Sequence, residues 1–203
     1  MYLEKDIVKE GAKVLKEVAK KVPTPLSKDD LECALGLFQY LVISENDELC
    51  KRYGLRPGVG IAAPQVGRSI RMFAINATDF LDEEQKKYAY VFINPTILAK
   101  SKEMTYLPGG EGCLSVDRPT NGLVTPRHYA IKVKSQILDI NTKKLKTITL
   151  NLEGYPAIVF QHEYDHLDGI MYVDKMFKEK DLDSSIVPLY TVEEDEDENN
   201  NEK

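Results

Sequence analysis

The sequence contains no tryptophan and only three cysteines and three histidines among its 203 residues. The cysteines, Cys33, Cys50 and Cys113, are odd in number and unrelated in spacing, which argues against a disulfide framework. No apolar run approaches the roughly 18 residues that a membrane-spanning helix needs, and the first ten residues lack the apolar stretch of a signal peptide. We therefore expect a cytoplasmic protein rather than a secreted or membrane-embedded one.

Acidic residues outnumber basic ones, 33 to 27, and the excess belongs to one segment. Residues 193–203, EEDEDENNNEK, contain seven acids and one lysine, a charge of −6 that equals the net charge of the whole chain. We therefore expect one domain over residues 1–192 and a disordered acidic tail over 193–203. The remaining residues are neutral in sum, so no direct recognition of nucleic acid is predicted.

The order of predicted elements favours an α+β fold with mostly antiparallel sheets. Helices are predicted over 27–43, with Ser27 as its N-cap, and over 45–53, ending at Gly54. Residues 4–20 predict only a short helical piece. Four segments rich in β-branched and aromatic residues predict strands: 70–76, 88–98, 129–140 and 144–152, with a hairpin turn at 141–144. A last helix is predicted from about residue 155 to a stop at Gly169.

Two of the three histidines lie in QHEYDH, residues 161–166, on that last helix. Residues four apart share a helix face, so His162 and His166 can hold one metal ion from consecutive turns. Glu163 lies beside them, where it can reach a water on the metal without being a ligand. Imidazole suits zinc, iron, nickel or cobalt. The alternative is a pair of ordinary histidines on a structural helix.

A catalytic metal site of this type requires a third protein ligand and one open position. Downstream of the helix the candidates are Asp168, Asp174 and Glu179. Upstream, Cys113 in GGEGCLSV is flanked by glycines that let the backbone bend closely around an ion, and a bound metal would keep its sulfur deprotonated. A buried structural role remains open for Cys113, and it is the preferred interpretation for Cys33 and Cys50.

The third informative stretch is GVGIAAPQVG, residues 58–67. Its glycines, proline and small apolar residues indicate a short edge strand followed by a tight turn. An edge strand offers unpaired N–H and C=O groups to a peptide. Gln65 supplies a neutral amide donor in an apolar setting, although a solvated loop glutamine is the alternative.

In this order, GVGIAAPQVG, EGCLSV and QHEYDHLDG resemble the three signature motifs of bacterial peptide deformylases. The motifs span residues 58–169. EGCLSVDR and the long segment before the first motif resemble the type II subgroup common in Gram-positive bacteria. The resemblance implies one catalytic domain over 1–192, with mostly antiparallel sheets packed around a central C-terminal helix that carries H-E-x-x-H.

The resemblance also implies the reaction and the cofactor. Peptide deformylases remove the formyl group from the N-terminal formylmethionine of nascent polypeptides and release formate. By similarity, Cys113, His162 and His166 would bind one divalent ion, Fe²⁺ in the cell, which Ni²⁺, Co²⁺ or Zn²⁺ can replace. A metal-bound hydroxide would attack the formyl carbon, with Glu163 as general base and then general acid. The implied partners are formylmethionyl nascent peptides, with transient proximity to the ribosome.

The same resemblance assigns groups around the substrate. The Gln65 amide and the Leu114 N–H would stabilise the oxyanion. Val59 and Gly60 would pair with the peptide backbone as an added strand. An apolar pocket for the methionine side chain would be formed by Val59 together with Tyr155, Ile158 and Val159.

Two further residues carry weaker expectations. Glu111 and Arg118, both near the second motif, are expected to form a supporting ion pair. His128 in PRHYAIKV lies far from the motifs and is expected to be a surface or strand-end histidine without a role in the site.

Two other functions share the same residues. A metallopeptidase that cleaves internal peptide bonds also uses H-E-x-x-H, but it would take its third ligand from a downstream carboxylate rather than from Cys113. A metal-stabilised binding module without turnover would have no need of Glu163.

Overall fold

The computed structural model describes residues 1–191, which form a mixed α+β structure. The α-helices are α1 Lys28–Glu45, α2 Asp47–Tyr53 and α3 Gly154–Leu167. The strands are β1 Gly60–Ala62, β2 Met72–Thr78, β3 Lys87–Lys100, β4 Met104–Tyr106, β5 Leu123–Val124, β6 Arg127–His128, β7 Ala130–Leu138, β8 Leu145–Glu153, β9 Phe177–Lys178 and β10 Ile186–Pro188. The expected acidic tail, residues 193–203, lies outside the described residues.

The largest sheet has the strand order β1-β2-β3-β7-β8, and all its neighbouring strands run antiparallel. A second sheet has the order β10-β4-β6, and β5 pairs with β9 in a third. The β10–β4 pair is parallel, while the other pairs of these two small sheets are antiparallel. The expectation of an α+β fold with mostly antiparallel sheets is confirmed.

The predicted helices and strands agree with the observed elements to within a few residues. Helix α1 begins after Ser27, whose hydroxyl accepts a hydrogen bond from the Asp30 N–H at 3.1 Å. Helix α2 ends at Gly54, where φ of +61° is a conformation that glycine adopts without a Cβ clash. Strand β1 lies at one edge of the largest sheet and leads into the 3₁₀ turn Ala63–Val66, as the glycine-rich stretch predicted.

Residues 4–20, where only a short helical piece was expected, contain the two 3₁₀ turns Glu4–Asp6 and Lys13–Lys16. Gly11, with φ of +94°, interrupts the helical pattern between them. The backbone groups of this segment bond instead to other parts of the chain, for example from the Ala19 N–H to the Leu167 carbonyl at 2.8 Å. The N-terminal segment is therefore held by tertiary contacts rather than by its own helix.

Helix α3 is buried along most of its length and packs against the largest sheet. Phe160 is fully buried, and its ring centroid lies 5.1 Å from those of both Phe73 and Phe92 in edge-on packing. Just beyond the helix, Gly169 has φ of +71°, and a Cβ there would lie 2.6 Å from the Lys16 carbonyl oxygen. The expected central position of the C-terminal helix is confirmed.

None of the helices within residues 1–191 is both long enough and apolar enough to cross a bilayer.

Replacing Phe160 with alanine should lower the free energy of unfolding by about 3–5 kcal/mol, because it leaves a cavity between the sheet and α3. Denaturant titration monitored by circular dichroism measures the change. Leu98→Ala is the matched control, since Leu98 is about half exposed on β3 and should lose roughly 0.5 kcal/mol or less. Equal losses in the two variants would contradict this packing.

Candidate metal centre and active site

Three potential metal ligands meet beside α3. His162 and His166 project from consecutive turns, with ring centroids 5.1 Å apart. Cys113, in the loop between β4 and β5, places its sulfur 3.4 Å from Nε2 of His166. One ligand atom from each of the three residues lies within 4.8 Å of the others. Among residues 1–191, these three are the His, Cys, Asp and Glu side chains found close enough together to bind one metal ion.

The downstream carboxylates that a metallopeptidase would use are engaged elsewhere. Asp168 accepts a hydrogen bond from Arg71 at 2.7 Å, and Asp174 pairs with Lys16 at 2.6 Å. Glu179 accepts a hydrogen bond from the Tyr106 hydroxyl. The residue that joins the two histidines is therefore Cys113.

His162 is oriented by a buried carboxylate. Its Nδ1 lies 2.7 Å from Glu111, which also accepts two hydrogen bonds from Arg127, at 2.7 and 2.8 Å. The expected Glu111–Arg118 pair is wrong, because Arg118 lies outside and binds Glu10 at 3.0 Å. Glu111 is buried, and a buried carboxylate that stays ionised requires a partner cation, which Arg127 supplies.

Charge balance around Arg127 extends through Asp165 to the surface. The Arg127 guanidinium also binds Asp165, which Lys175 contacts at 2.8 Å. Burial alone would raise the pKa of Glu111, but the charge and hydrogen bonds of Arg127, together with His162, lower it to about 2. Glu111 is therefore ionised at neutral pH and can fix the ring of His162, the usual arrangement behind a metal-binding imidazole.

The pKa values of the two histidines shift in opposite directions. Burial alone would lower the pKa of His162, yet the hydrogen bonds and charges of Cys113 and Glu111 raise it well above its ordinary value. Burial, with the positive charges of His162 and Arg127, lowers the pKa of His166 well below its ordinary value. His166 is consequently neutral, with a lone pair available to a ligand.

Glu163 is buried against the edge strand. A Cβ built on Gly60 would lie 2.3 Å from Oε1 of Glu163, so the carboxylate occupies the space that glycine leaves free. Oε2 of Glu163 has no hydrogen-bond partner within residues 1–191. Burial, reinforced by the charge of Glu111, raises the pKa of Glu163 to about 7, against the opposing effects of His162 and Arg127. Such a carboxyl can accept and return a proton near neutral pH.

Gln65 is held in one orientation by its own turn. Its Oε1 accepts a hydrogen bond from the Ala62 N–H at 2.8 Å, so its Nε2 faces the site. That nitrogen lies 3.3 Å from the Cys113 sulfur and 3.2 Å from the Ser115 hydroxyl. The amide is a fixed, neutral donor beside the candidate metal ligands.

A cavity of about 880 Å³ opens onto these groups. Its walls include Gln65, Cys113, Leu114, His162 and Glu163 from the three sequence motifs. The other side chains that were predicted to contact substrate also line it: Val59, Gly60, Tyr155, Ile158 and Val159. Every predicted site residue therefore lies at this cavity or directly behind it, where His166 is buried.

The remaining histidine and cysteines lie away from the cavity. His128 ends β6, and its Nδ1 contacts the Ser101 carbonyl at 2.8 Å, as expected for a strand-end histidine. Cys33 and Cys50 are buried in α1 and α2, in agreement with a structural role.

The donor set fits a divalent transition metal. With metal–nitrogen and metal–sulfur bonds of about 2.0–2.3 Å, tetrahedral ligand atoms lie roughly 3.5 Å apart, close to the 3.4 Å between the Cys113 sulfur and Nε2 of His166. One sulfur and two imidazoles suit iron, zinc, nickel or cobalt rather than calcium or magnesium. An α+β fold that gathers this set beside a buried carboxylate in an open cavity defines a candidate metallohydrolase.

Comparisons with known proteins agree with this class. The family model described as polypeptide deformylase matches residues 4–181. A peptide deformylase from Halalkalibacterium halodurans is 51% identical over 176 residues, which cover 87% of this chain and 92% of that protein. A peptide deformylase from Staphylococcus epidermidis is 47% identical over 174 residues, covering 86% and 91%. Both relatives agree with the predicted Gram-positive type.

A solved structure provides the corresponding match in three dimensions. The class I type b peptide deformylase from Acinetobacter baumannii, crystallised with Met-Ala-Ser bound, superposes with a TM-score of 0.62 at 30% identity. The match covers 83% of this chain and 96% of that one. The chain belongs to the peptide deformylase family. It is accordingly a hydrolase that acts on formylmethionyl peptides, and its family is metal-dependent.

Sequence reasoning missed Arg127. The residue lies in the segment TPRHYA, and no local pattern marks it as buried, because its burial depends on two carboxylates that lie 16 and 38 residues away. The sequence did indicate that Gly60 is important, because it lies in a glycine-rich motif. It did not indicate that the glycine leaves room for the Glu163 carboxylate.

Gly60→Ala should reduce kcat/KM for a formylated peptide by about tenfold or more, because the new methyl group displaces the Glu163 carboxylate. A formate-release assay measures the loss, and circular dichroism checks that the fold is retained. Gly58→Ala serves as the control, since its Cβ would meet only ordinary contacts of 3.4 Å and longer with the Leu114 side chain. Full activity in Gly60→Ala would show that Glu163 need not lie where the structure has it.

Proposed function

We propose that this chain removes the formyl group from N-terminal formylmethionine through Cys113, His162, His166 and Glu163. The observation that carries the proposal is the meeting of one thiol sulfur and two imidazole nitrogens within 4.8 Å of one another, beside a buried carboxyl. Family membership supports the reaction, and this geometry supports the assignment of roles to residues of this chain.

Cys113, His162 and His166 would hold one divalent ion, Fe²⁺ in the cell, with Ni²⁺, Co²⁺ or Zn²⁺ able to take its place. A bound ion of this kind supplies Lewis acidity, which lowers the pKa of water and polarises a carbonyl. The Glu111 carboxylate keeps the His162 ring turned so that its other nitrogen faces the cavity.

Glu163 would move the proton in both halves of the reaction. Its pKa of about 7, raised chiefly by burial, lets it take a proton from water at neutral pH. The same carboxyl then gives that proton to the amine that leaves as the formyl C–N bond breaks. Formate and a peptide with a free N-terminal amine result.

Gln65 and Leu114 would stabilise the tetrahedral oxyanion between these steps. The Gln65 amide is a fixed donor because the Ala62 N–H holds its other end. The Leu114 N–H donates to no other group within residues 1–191 and is therefore available. Preorganised donors of this kind cost nothing to reorient during the reaction.

The free edge of β1 would bind the substrate. Val59 and Gly60 would pair with the backbone of an extended peptide, which makes binding tolerant of sequence. The Val59 carbonyl also accepts a hydrogen bond from the Asn76 N–H of β2 at 2.8 Å. The methionine side chain would enter the apolar part of the cavity, between Tyr155, Ile158 and Val159. The match to a structure with Met-Ala-Ser bound supports such a peptide as the ligand. The natural substrates would be nascent polypeptides in the cytoplasm, met in proximity to the ribosome.

The two rival functions make different demands on the same residues. A metallopeptidase would cleave internal peptide bonds and would tolerate Cys113→Ser. Formyl-Met-Ala-Ser offered to this chain should instead release formate while its peptide bonds stay whole. A binding module without turnover would release no formate at all.

Glu163→Gln should retain bound metal but lose turnover by about 10²–10⁴-fold, because the amide cannot carry the proton. Formate release and metal content by mass spectrometry are measured on the same preparation. Glu153→Gln, an exposed change at the last residue of β8, is the matched control and should retain parental turnover. Parental turnover in Glu163→Gln would contradict the proposed role.

Purification in air without reductant should lower the activity of the Fe²⁺ form, while the Ni²⁺ form keeps its activity. Both Fe²⁺ and a cysteine ligand can be oxidised. Replacing Fe²⁺ with Ni²⁺ removes the oxidation of the metal ion. Activity is followed over hours in air and under nitrogen for the two forms. An equal decline of both forms in air would count against Fe²⁺ as the oxygen-sensitive component.

A further inference from the structure

Residues 8–10, which we call the strap, cross directly behind the candidate oxyanion donors. The Val8 N–H donates to the Gln65 carbonyl at 2.7 Å, and the Glu10 N–H donates to the Ser115 carbonyl at 2.8 Å. One short segment thus joins the turn that carries Gln65 to the loop that follows Cys113.

The carbonyl of Leu114 accepts hydrogen bonds from two cationic side chains, Lys9 of the strap and Arg56 of the cavity wall. Nζ of Lys9, in the middle of the strap, donates to it at 3.1 Å, and the Arg56 guanidinium donates to it as well. Arg56 also reaches the Val116 carbonyl at 3.4 Å. A carbonyl oxygen has two lone pairs, so both donors can be accepted together. Donors from outside the loop therefore fix three successive carbonyls of residues 114–116.

Two carboxylates offset the repulsion between the Lys9 and Arg56 charges. Glu4 lies 2.7 Å from Lys9 and 3.2 Å from Arg56, and Asp117 lies 3.1 and 3.2 Å from the same two groups. The four charges alternate around a neutral ring, to which the Tyr40 hydroxyl adds a hydrogen bond to Glu4. The ring is partly exposed, with 39% exposure for the side chains of both Lys9 and Arg56. Such partly exposed ion pairs contribute little to the free energy of unfolding. Their main effect is therefore to fix the position of the backbone that Lys9 and Arg56 bind.

We propose that Lys9 and Arg56 are positioning residues for the hydrolysis, acting through Leu114 and Gln65. The strap and Arg56 hold the 113–116 turn against the Gln65 turn, so that the Leu114 N–H and the Gln65 amide converge on one point. The inference rests on the oxyanion roles proposed above. It assigns a function to the strap, although none of residues 8–10 lines the substrate cavity.

The effect should fall on kcat rather than on KM. An oxyanion exists only near the transition state, so misplaced donors weaken transition-state binding and leave ground-state binding unchanged. A displacement of about 1 Å in such a group can cost up to 100-fold in rate.

The experiment uses the full-length Ni²⁺-loaded chain with formyl-Met-Ala-Ser as substrate. Lys9→Met removes the charge and keeps most of the aliphatic stem, and Arg56→Ala removes the second donor. We expect kcat to fall about tenfold in each variant, with KM and metal content within about twofold of the parent. Arg56→Lys should recover most of the loss, because it restores a cationic donor.

The matched control is Arg68→Ala. Arg68, like Arg56, binds a backbone carbonyl and a carboxylate, those of Asp29 and Asp30, but it has no contact with the 113–116 turn. Hydrogen exchange of a peptide covering residues 112–117 supplies a readout independent of turnover. Its exchange should quicken in Lys9→Met and Arg56→Ala and stay parental in Arg68→Ala.

Any of four results would overturn the inference: unchanged kcat in both variants, an equal loss in Arg68→Ala, unchanged exchange over residues 112–117, or loss of metal in parallel with kcat. The last result would mean that the strap acts through Cys113 instead of the oxyanion donors. Failure of the proposed function looks different, since the parent chain itself would then release no formate while the exchange experiment would still test the strap.

Discussion

The structure depends on the burial of α3. This helix packs apolar residues against the largest sheet and also carries His162, Glu163 and His166. Phe160 anchors it between two phenylalanines of that sheet. Burial fixes the rotamers of His162 and His166, and it removes their side chains and Glu163 from bulk water. The chemistry of the site follows from this removal, because ionisable groups change their pKa when they lose solvation.

Burial affects each ionisable group according to its partners. Glu111 stays ionised because Arg127 binds it through two hydrogen bonds. Burial raises the pKa of Glu163 to about 7, and its Oε2 has no hydrogen-bond partner within residues 1–191. Two buried carboxyl groups in one site are thereby separated into an orienting anion and a proton carrier. Gly60 completes the arrangement, because any side chain there would occupy the space of the Glu163 carboxylate.

Much of this arrangement could be predicted from the sequence, and the limits have physical reasons. His162, Glu163 and His166 are close in sequence, so helix periodicity alone brings them together. Cys113 is about 50 residues away and could be joined to them only through its motif. The wrong Glu111–Arg118 pair arose from sequence proximity, while the true partner, Arg127, is set by the sheet that brings β6 beside α3. The role of the strap could not be predicted for the same reason, since Lys9 and Leu114 are 105 residues apart in sequence.

The central claim is that Cys113 and the two histidines hold the same ion, and cobalt spectroscopy tests it most directly. The full-length chain loaded with Co²⁺ should show a near-ultraviolet absorption band from charge transfer between the thiolate and the metal. Cys113→Ser should lose that band, while Cys33→Ser and Cys50→Ser should keep it. A parental spectrum in Cys113→Ser would contradict the account, because the sulfur would then take no part in binding the metal.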